Sequence, residues 1–189
     1  MGETHQVRWT YILIVSIVAV FILQNVTRSW IYFAFIPAYA SRYPWMYVTS
    51  IFIHASLEHI LVNIVVLLVF GTLLERKVGS RRLLLIFMVA GVFGNIGYQI
   101  TAISPFTPGI GASGAIYGLM GALAILEPLQ IVYIGFTFPL PVAAIVPAYV
   151  LLDLLGIFTP DNVAHGAHLA GLAIGIAYGL YLRYANRYS

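Results

Sequence analysis

Long apolar segments separated by short polar loops run through the whole chain. The first, residues 9–26, is close to the roughly 20 residues that a helix needs to cross a bilayer, and no small-residue cleavage site follows it. Further segments lie at about 56–74, 82–100, 113–127, 139–157 and 164–183. The pattern predicts an all-α, polytopic membrane protein with six transmembrane helices, forming a single domain over residues 1–189.

The composition excludes several other classes of protein. The chain is 61% hydrophobic and only 8% charged, against about 25% charged residues in an average soluble domain. It has no cysteine, so disulfides and thiolate metal sites are impossible. Its basic residues form no run with interleaved aromatics, so nucleic acid is not an expected partner. The lipid bilayer is the expected surrounding, and no cofactor is expected.

Two segments between the predicted spans have a different character. Residues 28–44 are rich in aromatics, contain two prolines and include Arg28 and Arg42, which is typical of a loop lying in the headgroup layer. Residues 131–141 are β-branched and aromatic and end in Pro-Leu-Pro. We expect that second segment to be a short extended piece before the fifth span.

The lysines and arginines predict the orientation of the bundle. With the N-terminus in the cytoplasm, only Arg28 and Arg42 lie outside, and the remaining basic residues lie inside: Arg8, Arg76, Lys77, Arg81, Arg82, Arg183 and Arg187. The predicted topology is therefore N-in and C-in. It brings polar residues of three spans to one depth, roughly 5–15 Å below the outer surface at about 1.5 Å per residue: His59, Asn63, Ser113, His165 and His168.

Ser113 is the first candidate for chemistry. It lies among five glycines in "PGIGASGAIYGLMGA", residues 108–122, where the first-turn amides of a helix would point at developing negative charge. Judged on this stretch alone, a packing or capping serine is the favoured interpretation. A serine nucleophile also needs a base nearby.

His168 is the candidate base. It shares one helix face with Gly171 and Gly175, while Gly114 and Gly118 form a similar face on the fourth span. Two such faces let two helices approach closely, as a short serine–histidine hydrogen bond requires. Gly111 leaves the backbone before Ser113 bare. His168 could instead bond a neighbouring helix, but its place on the glycine face favours the base.

Three further polar residues could complete the site. Tyr117, one turn after Ser113, could stack on the imidazole, although ordinary packing is nearly as well supported. His59 and Asn63 share a face of the second span and could donate hydrogen bonds to an oxyanion, or could join helices. His54 does not share that face well.

The remaining titratable groups are given smaller roles. His165 is expected to support the site from outside or to face solvent. Asp153 is the only carboxylate placed to orient a histidine, but packing or gating is favoured for it, and the site is interpreted as a serine–histidine dyad. Zinc held by His54, His59, His165 and His168 is not favoured, because their spacing lacks the H-E-x-x-H arrangement; no metal is expected.

Three motifs in order resemble the rhomboid intramembrane serine proteases. They are "HASLEHILVN" in the second span, "GASG" opening the fourth and "AHLAGLAIG" in the last, with "ERKVGS" after the second span also similar. The likeness covers about residues 45–180. It implies that Ser113 is the nucleophile, that His168 is the general base and acid, and that Tyr117 stacks on the base. It also implies an oxyanion hole made by His59, Asn63 and the Ser113 amide.

The resemblance further implies a function and a setting. Substrates would be single-span membrane proteins whose helix is weakened near the scissile bond, cut by an enzyme of the cell (plasma or inner) membrane whose site opens to the extracytoplasmic side. Residues 28–44 would be the family's first loop, and about 157–164 would cap the site. The chain departs from the family's frequent Trp-Arg pair in that loop, since Met46 follows Trp45. The oligomeric state is left open.

Two other functions compete with proteolysis. A catalytically silent rhomboid-like protein that binds membrane clients would be expected to lack the serine or the histidine, and both are present. A small proton-coupled transporter would carry polar groups into the inner leaflet, where these spans are almost wholly apolar. An α/β-hydrolase elbow is rejected because Ala115 stands at its last glycine position.

Overall fold

Helices dominate the computed structural model, which describes residues 8–135, 137–157, 159 and 163–185. The helices are α1 (Trp9–Thr27), α2 (Met46–Thr49), α3 (Leu57–Val66), α4 (Thr72–Val78), α5 (Ser80–Thr101), α6 (Ser113–Leu126), α7 (Val142–Gly156) and α8 (His165–Ala185). A π-helical turn, Leu67–Gly71, makes α3 and α4 one continuous helix. Short 3-10 turns lie at Trp30–Tyr32, Pro37–Tyr39 and Ser50–Phe52. The strands β1 (Ile131–Ile134) and β2 (Phe138–Pro141) form an antiparallel hairpin.

Each of the six predicted segments coincides with a helix. Within the described ranges, three helices are long and apolar enough to cross a membrane, namely Trp9–Thr27, Leu57–Val78 and Ser80–Thr101, and α6 and α7 are shorter apolar helices. The second predicted segment ends four residues too early, because no helix breaker precedes Gly79, whose φ of 84° ends the helix. α7 begins after the expected residue 139, because the Pro-Leu-Pro stretch belongs to β2.

The hairpin corrects the expectation of an all-α fold. The extended piece expected at 131–141 folds back on itself, pairing Ile131 with Pro141 and Ile134 with Phe138. Its β-branched and aromatic residues favour strands, and Gly135 has the positive φ, 58°, that the connecting turn requires. The fold is therefore helical with one small β-element between α6 and α7.

Helix α6 lies at the centre of the fold. Most of its side chains are buried, from Gly114 to Leu123, and it packs against α5 and α8. At about 1.5 Å per residue its 14 residues span only about 21 Å, less than the roughly 30 Å of a hydrocarbon core. A helix enclosed by other helices can be this short because protein rather than lipid surrounds its ends.

The segment 28–44 is anchored by the loop between α5 and α6. The Phe35 and Gly109 backbones exchange two hydrogen bonds, of 2.9 and 2.7 Å, and the Phe35 ring packs against Tyr47 and Tyr98. Trp45 adds a hydrogen bond from its indole Nε1 to the Tyr32 carbonyl, at 3.2 Å. These contacts hold the segment without the Trp-Arg pair that is frequent in the resembling family.

A buried carboxylate caps the N-terminus of α1. One oxygen of Glu75 accepts the Trp9 amide at 2.6 Å, and the other accepts the Thr10 amide at 3.2 Å and the Thr10 hydroxyl at 2.6 Å. These are first-turn groups, which have no partner within their own helix. The cap of α1 is therefore supplied by α4.

Candidate active site

Ser113 and His168 meet where α6 begins. The Ser113 Oγ lies 2.8 Å from Nε2 of His168, a length typical of a good hydrogen bond. His168 is buried, and Ser113 is half-buried as the first residue of α6. The serine and the histidine that the sequence indicates on two different spans are thus joined by a direct hydrogen bond.

Glycines let the helices approach closely enough for this contact. A methyl group added to Gly171 or Gly175 of α8 would overlap the backbone of α6 at Gly114 or Gly118. A methyl group on Gly114 would in turn lie 3.2 Å from the Ala167 carbonyl oxygen. The glycine faces of α6 and α8 therefore touch backbone to backbone, which fixes His168 opposite Ser113.

Gly111 shapes the loop before Ser113 and takes no part in the contact between α6 and α8. Its φ of 116° lies in the region that side chains disfavour, and a methyl group on it would come within 2.8 Å of the His59 ring. The Gly111 amide donates to the Ser50 carbonyl at 3.0 Å. This turn brings the chain past His59 just before the serine.

Tyr117 lies on the imidazole of His168. The two rings are stacked, with centroids 4.3 Å apart and planes 13° apart. Tyr149 of α7 meets Tyr117 edge-on at 6.1 Å. The tyrosine thus limits the tilt of the imidazole from one side.

His59 and Asn63 lie on successive turns of α3. Ser56 caps this helix by accepting the His59 amide at 3.1 Å, and His59 is half-buried beside the Gly111 turn. Asn63 is buried and donates from Nδ2 to the His59 carbonyl at 2.8 Å, while its Oδ1 has no hydrogen-bond partner within the described part of the chain. The side chain of Asn63 therefore keeps hydrogen-bonding capacity that the fold itself does not use.

His54 has a place in the site that sequence spacing did not predict. Its side chain is fully buried, and burial, with a smaller contribution from His59, lowers its pKa to about 4. The neutral ring accepts the Ala112 amide on Nε2 at 3.4 Å and donates from Nδ1 to the Phe52 carbonyl at 3.2 Å. His54 thus holds the residue before Ser113. Gln24 fixes the His54 backbone from α1 through two hydrogen bonds.

Asp153 and His165 belong to the same cluster. Nδ1 of His168 and Nδ1 of His165 each lie 2.8 Å from Oδ1 of Asp153. These three ligand atoms are within 4.8 Å of one another and could in principle hold a metal ion, whereas His54 and His59 lie against the Ser113 loop. Asp153 belongs to α7 and the two histidines belong to α8. The spacing of the histidines along one helix therefore could not reveal this cluster.

A small cavity opens beside Ser113. Its volume is about 20 Å³, and its lining includes Asn95, Tyr98, Gly109 and Ala164. One water molecule needs about 10–15 Å³ by this measure. The cavity therefore has room for one water next to the hydroxyl. Residues 158 and 160–162 of the cap expected at about 157–164 lie outside the described residues.

The chain is similar to several known proteins of one family. A family model described as the rhomboid domain matches residues 41–185. The rhomboid protein YdcA of Bacillus subtilis is 33% identical over 131 residues, which cover 69% of this chain and 63% of YdcA. The rhomboid protease GluP of the same organism is 32% identical over 135 residues, covering 69% of this chain and 24% of GluP. The rhomboid protease GlpG of Yersinia pseudotuberculosis is 29% identical over 177 residues, covering 88% of this chain and 60% of GlpG.

Long apolar helices around a buried polar cluster make this an integral membrane protein. With the family model matching most of its length, the chain belongs to the rhomboid family. It spans less than two thirds of the length of each of these three relatives.

Proposed function

We propose that the chain is an intramembrane serine endopeptidase. The observation that carries the proposal is the 2.8 Å contact between the Ser113 hydroxyl and His168 Nε2. Nε2 takes the hydroxyl proton as Oγ bonds to the substrate carbonyl carbon, and then gives it to the leaving amine nitrogen as the peptide bond breaks. Water hydrolyses the resulting ester by the reverse proton route and frees Ser113.

The oxyanion formed in this reaction needs donors, and the surroundings of Ser113 can supply them. Ala112 at the start of α6 offers no side-chain cap, so first-turn amides remain available near Ser113. We assign the oxyanion hole to the Ser113 amide with the side chains of His59 and Asn63. The position of His59 beside the Gly111 turn supports this assignment, as does the second N–H of Asn63 Nδ2, since one N–H is enough for the bond to the His59 carbonyl.

The ends of α6 support a six-span, N-in and C-in topology with the site opening outward. Lys77 pairs with Glu127, and Arg183 donates to the Ile125 carbonyl at 3.3 Å, so basic residues gather at the end of α6 opposite Ser113. Lysine and arginine favour the cytoplasmic side. Ser113 therefore opens to the extracytoplasmic side of a plasma or inner membrane, in a rhomboid-like domain that takes in residues 1–189.

The substrates are proposed to be single-span membrane proteins with a helix weakened near the cleaved bond. The named functions of GluP and GlpG, both rhomboid proteases, support peptide-bond cleavage. A helical peptide bond keeps its carbonyl in the helix ladder, so the segment must unwind to reach Ser113. The water-sized cavity beside the serine is consistent with hydrolysis of the ester.

A fluorophosphonate probe tests the nucleophile directly. The detergent-solubilised protein should be labelled, with the adduct mapped by mass spectrometry to Ser113. Ser104→Ala, in the loop before α6, is the matched control and should label as the parent does. An adduct on another serine, or full labelling of Ser113→Ala, would contradict the assignment of Ser113.

Tyr117 offers a smaller, graded test of the base. Stacking of aromatic rings contributes about 0.5–1.5 kcal/mol beyond burial, so Tyr117→Leu should lower kcat by roughly 3- to 10-fold. Tyr117→Phe keeps the ring and should retain most of the rate. Equal kcat values for the leucine variant and the parent, measured on a model single-span substrate, would remove the stacking role.

A further inference from the structure

The hairpin between α6 and α7 carries an apolar surface that the helix bundle leaves uncovered. Among the residues of β1 and β2, Val132 alone is buried in the core of the bundle. Tyr133 and Phe138 are the most exposed, at 61% and 69%. We propose that this hairpin inserts into the cytoplasmic leaflet, so that its partner is the boundary between the lipid headgroups and the acyl chains. The inference goes beyond the peptidase function and rests only on the proposed topology.

The composition of the hairpin suits this boundary. The sequence from 128 to 152 contains no lysine, arginine, histidine, aspartate or glutamate. A hairpin of two strands is marginally stable in water, because it has no second layer on which to bury its apolar side chains. Uncharged aliphatic and aromatic side chains are those that enter the interfacial layer of a bilayer. Lipid therefore provides the apolar contact that the bundle does not.

Two prolines remove polar groups that would oppose insertion. The Val142 amide donates to the Gln130 carbonyl, so these residues form a hydrogen-bonded pair, and every second pair along the hairpin does the same. Pro139 and Pro141 fall at the positions between, where the backbone nitrogen faces away from the partner strand. Proline has no N–H, so the outer edge of β2 has no amide donor that lipid would leave without a partner. The same prolines keep a further strand from pairing with this edge.

The length of α6 sets the depth at which the hairpin begins. Ser113, where α6 begins, is expected roughly 5–15 Å below the outer surface, and α6 is about 21 Å long. The helix thus ends about 26–36 Å below that surface, in a membrane about 40–45 Å thick with its headgroups. Lys77 and Arg183 contact this end of α6, as basic side chains at the cytoplasmic headgroups would. Since β1 begins five residues after α6 ends, the hairpin starts within the membrane.

Two backbone hydrogen bonds tie the hairpin to the start of α7. The amides of Val142 and Ala143, in the first turn of α7, donate to the carbonyls of Gln130 and Pro128, both at 2.9 Å. Such first-turn amides have no partner within their own helix, and Pro141 before them supplies no side-chain cap. The chain leading into β1 therefore caps α7. An inserted hairpin consequently fixes the depth of the first turn of α7 in the bilayer.

The test measures depth with nitroxide spin labels, one at a time, which is possible because the chain has no cysteine. Tyr133→Cys and Phe138→Cys are labelled in vesicles of phosphatidylethanolamine and phosphatidylglycerol. Leu85→Cys and Arg81→Cys, at exposed positions of α5, are the matched lipid and water controls. We expect the hairpin labels to resemble the label at 85. Their ratio of collisions with oxygen to collisions with a water-soluble nickel chelate should exceed that at 81 by about threefold or more.

A charge placed in the hairpin gives a second measurement. Phe138→Asp should draw the label of Tyr133→Cys toward water, because a carboxylate below the headgroups is costly, and should raise its collisions with the nickel chelate by about threefold. Ile103→Asp is the matched control, since Ile103 is an exposed apolar residue of the loop before α6. It should leave the label at 133 unchanged.

Three results would overturn the proposal. Labels at 133 and 138 that match Arg81→Cys would place the hairpin in water. Broadened spectra that sharpen on dilution with unlabelled protein would make a second copy of the chain the partner. Reaction of Arg81→Cys with a membrane-impermeant maleimide outside sealed cells would refute the topology, and the cytoplasmic leaflet with it. Cleavage by the unlabelled parent and by Ser113→Ala, assayed alongside, tests the peptidase assignment separately from all three.

Discussion

Alanine in place of either Ser113 or His168 should lower kcat for cleavage of a single-span substrate by about 10⁴-fold or more. The serine cannot attack as a neutral hydroxyl without a base, and the base has no proton to take without the serine. The 2.8 Å contact makes the two groups one unit. The double variant should therefore be no slower than either single variant.

The measurement is cleavage in proteoliposomes, with unfolding temperatures recorded for each variant. Ser104→Ala controls for a serine substitution and should cut at the rate of the parent. Losses of the two single variants that multiply in the double variant would mean that Ser113 and His168 act independently. That result would remove the general-base role of His168 even if Ser113 remained essential.

The second large effect is expected from a single methyl group on α8. Gly175→Ala places its methyl group on the Gly118 carbonyl oxygen, and a backbone atom cannot move aside as a flexible side chain can. Overpacking of this kind typically costs 1–3 kcal/mol and occasionally more, and we expect about 3 kcal/mol here. At roughly 2–4 °C per kcal/mol for a chain of this size, the unfolding temperature should fall by about 6–12 °C.

The same substitution should also lower the rate of catalysis at the active site. Separating α8 from α6 moves His168 away from Ser113, and a displacement of about 1 Å can cost about 10²-fold in rate. Ala173→Val is the matched control, because it enlarges an exposed residue of the same helix and should change neither property. A Gly175→Ala variant as stable and as active as the parent would show that the α6–α8 contact can widen freely.

The sequence predicted the helices well because an apolar segment long enough to cross a bilayer has few other ways to satisfy its backbone. It failed at ends set by local geometry, such as Gly79, and at residues 131–141, where strand pairing competes with a simple extended connection. Glycine spacing indicated which faces of α6 and α8 could meet. The 2.8 Å contact of Ser113 and His168 lies on those faces.

The rest of the site depends on how separate elements are rotated about one another. The Asp153–His168 bond joins residues 15 positions apart on different helices, and the His54–Ala112 bond joins residues 58 positions apart. Residue spacing within one helix carries no information on either contact. The Phe35–Gly109 pairing was similarly hidden, because neither residue belongs to a regular element.

The contact of Glu75 with the start of α1 has a consequence for the order of assembly during synthesis. The Trp9 amide is capped by a carboxylate that emerges 66 residues later. The first turn of α1 therefore lacks this cap until Glu75 has left the ribosome and α4 packs beside α1. An arrest of translation that keeps Glu75 inside the ribosome would leave that turn without its cap, and an arrest after α4 has packed beside α1 would find it capped.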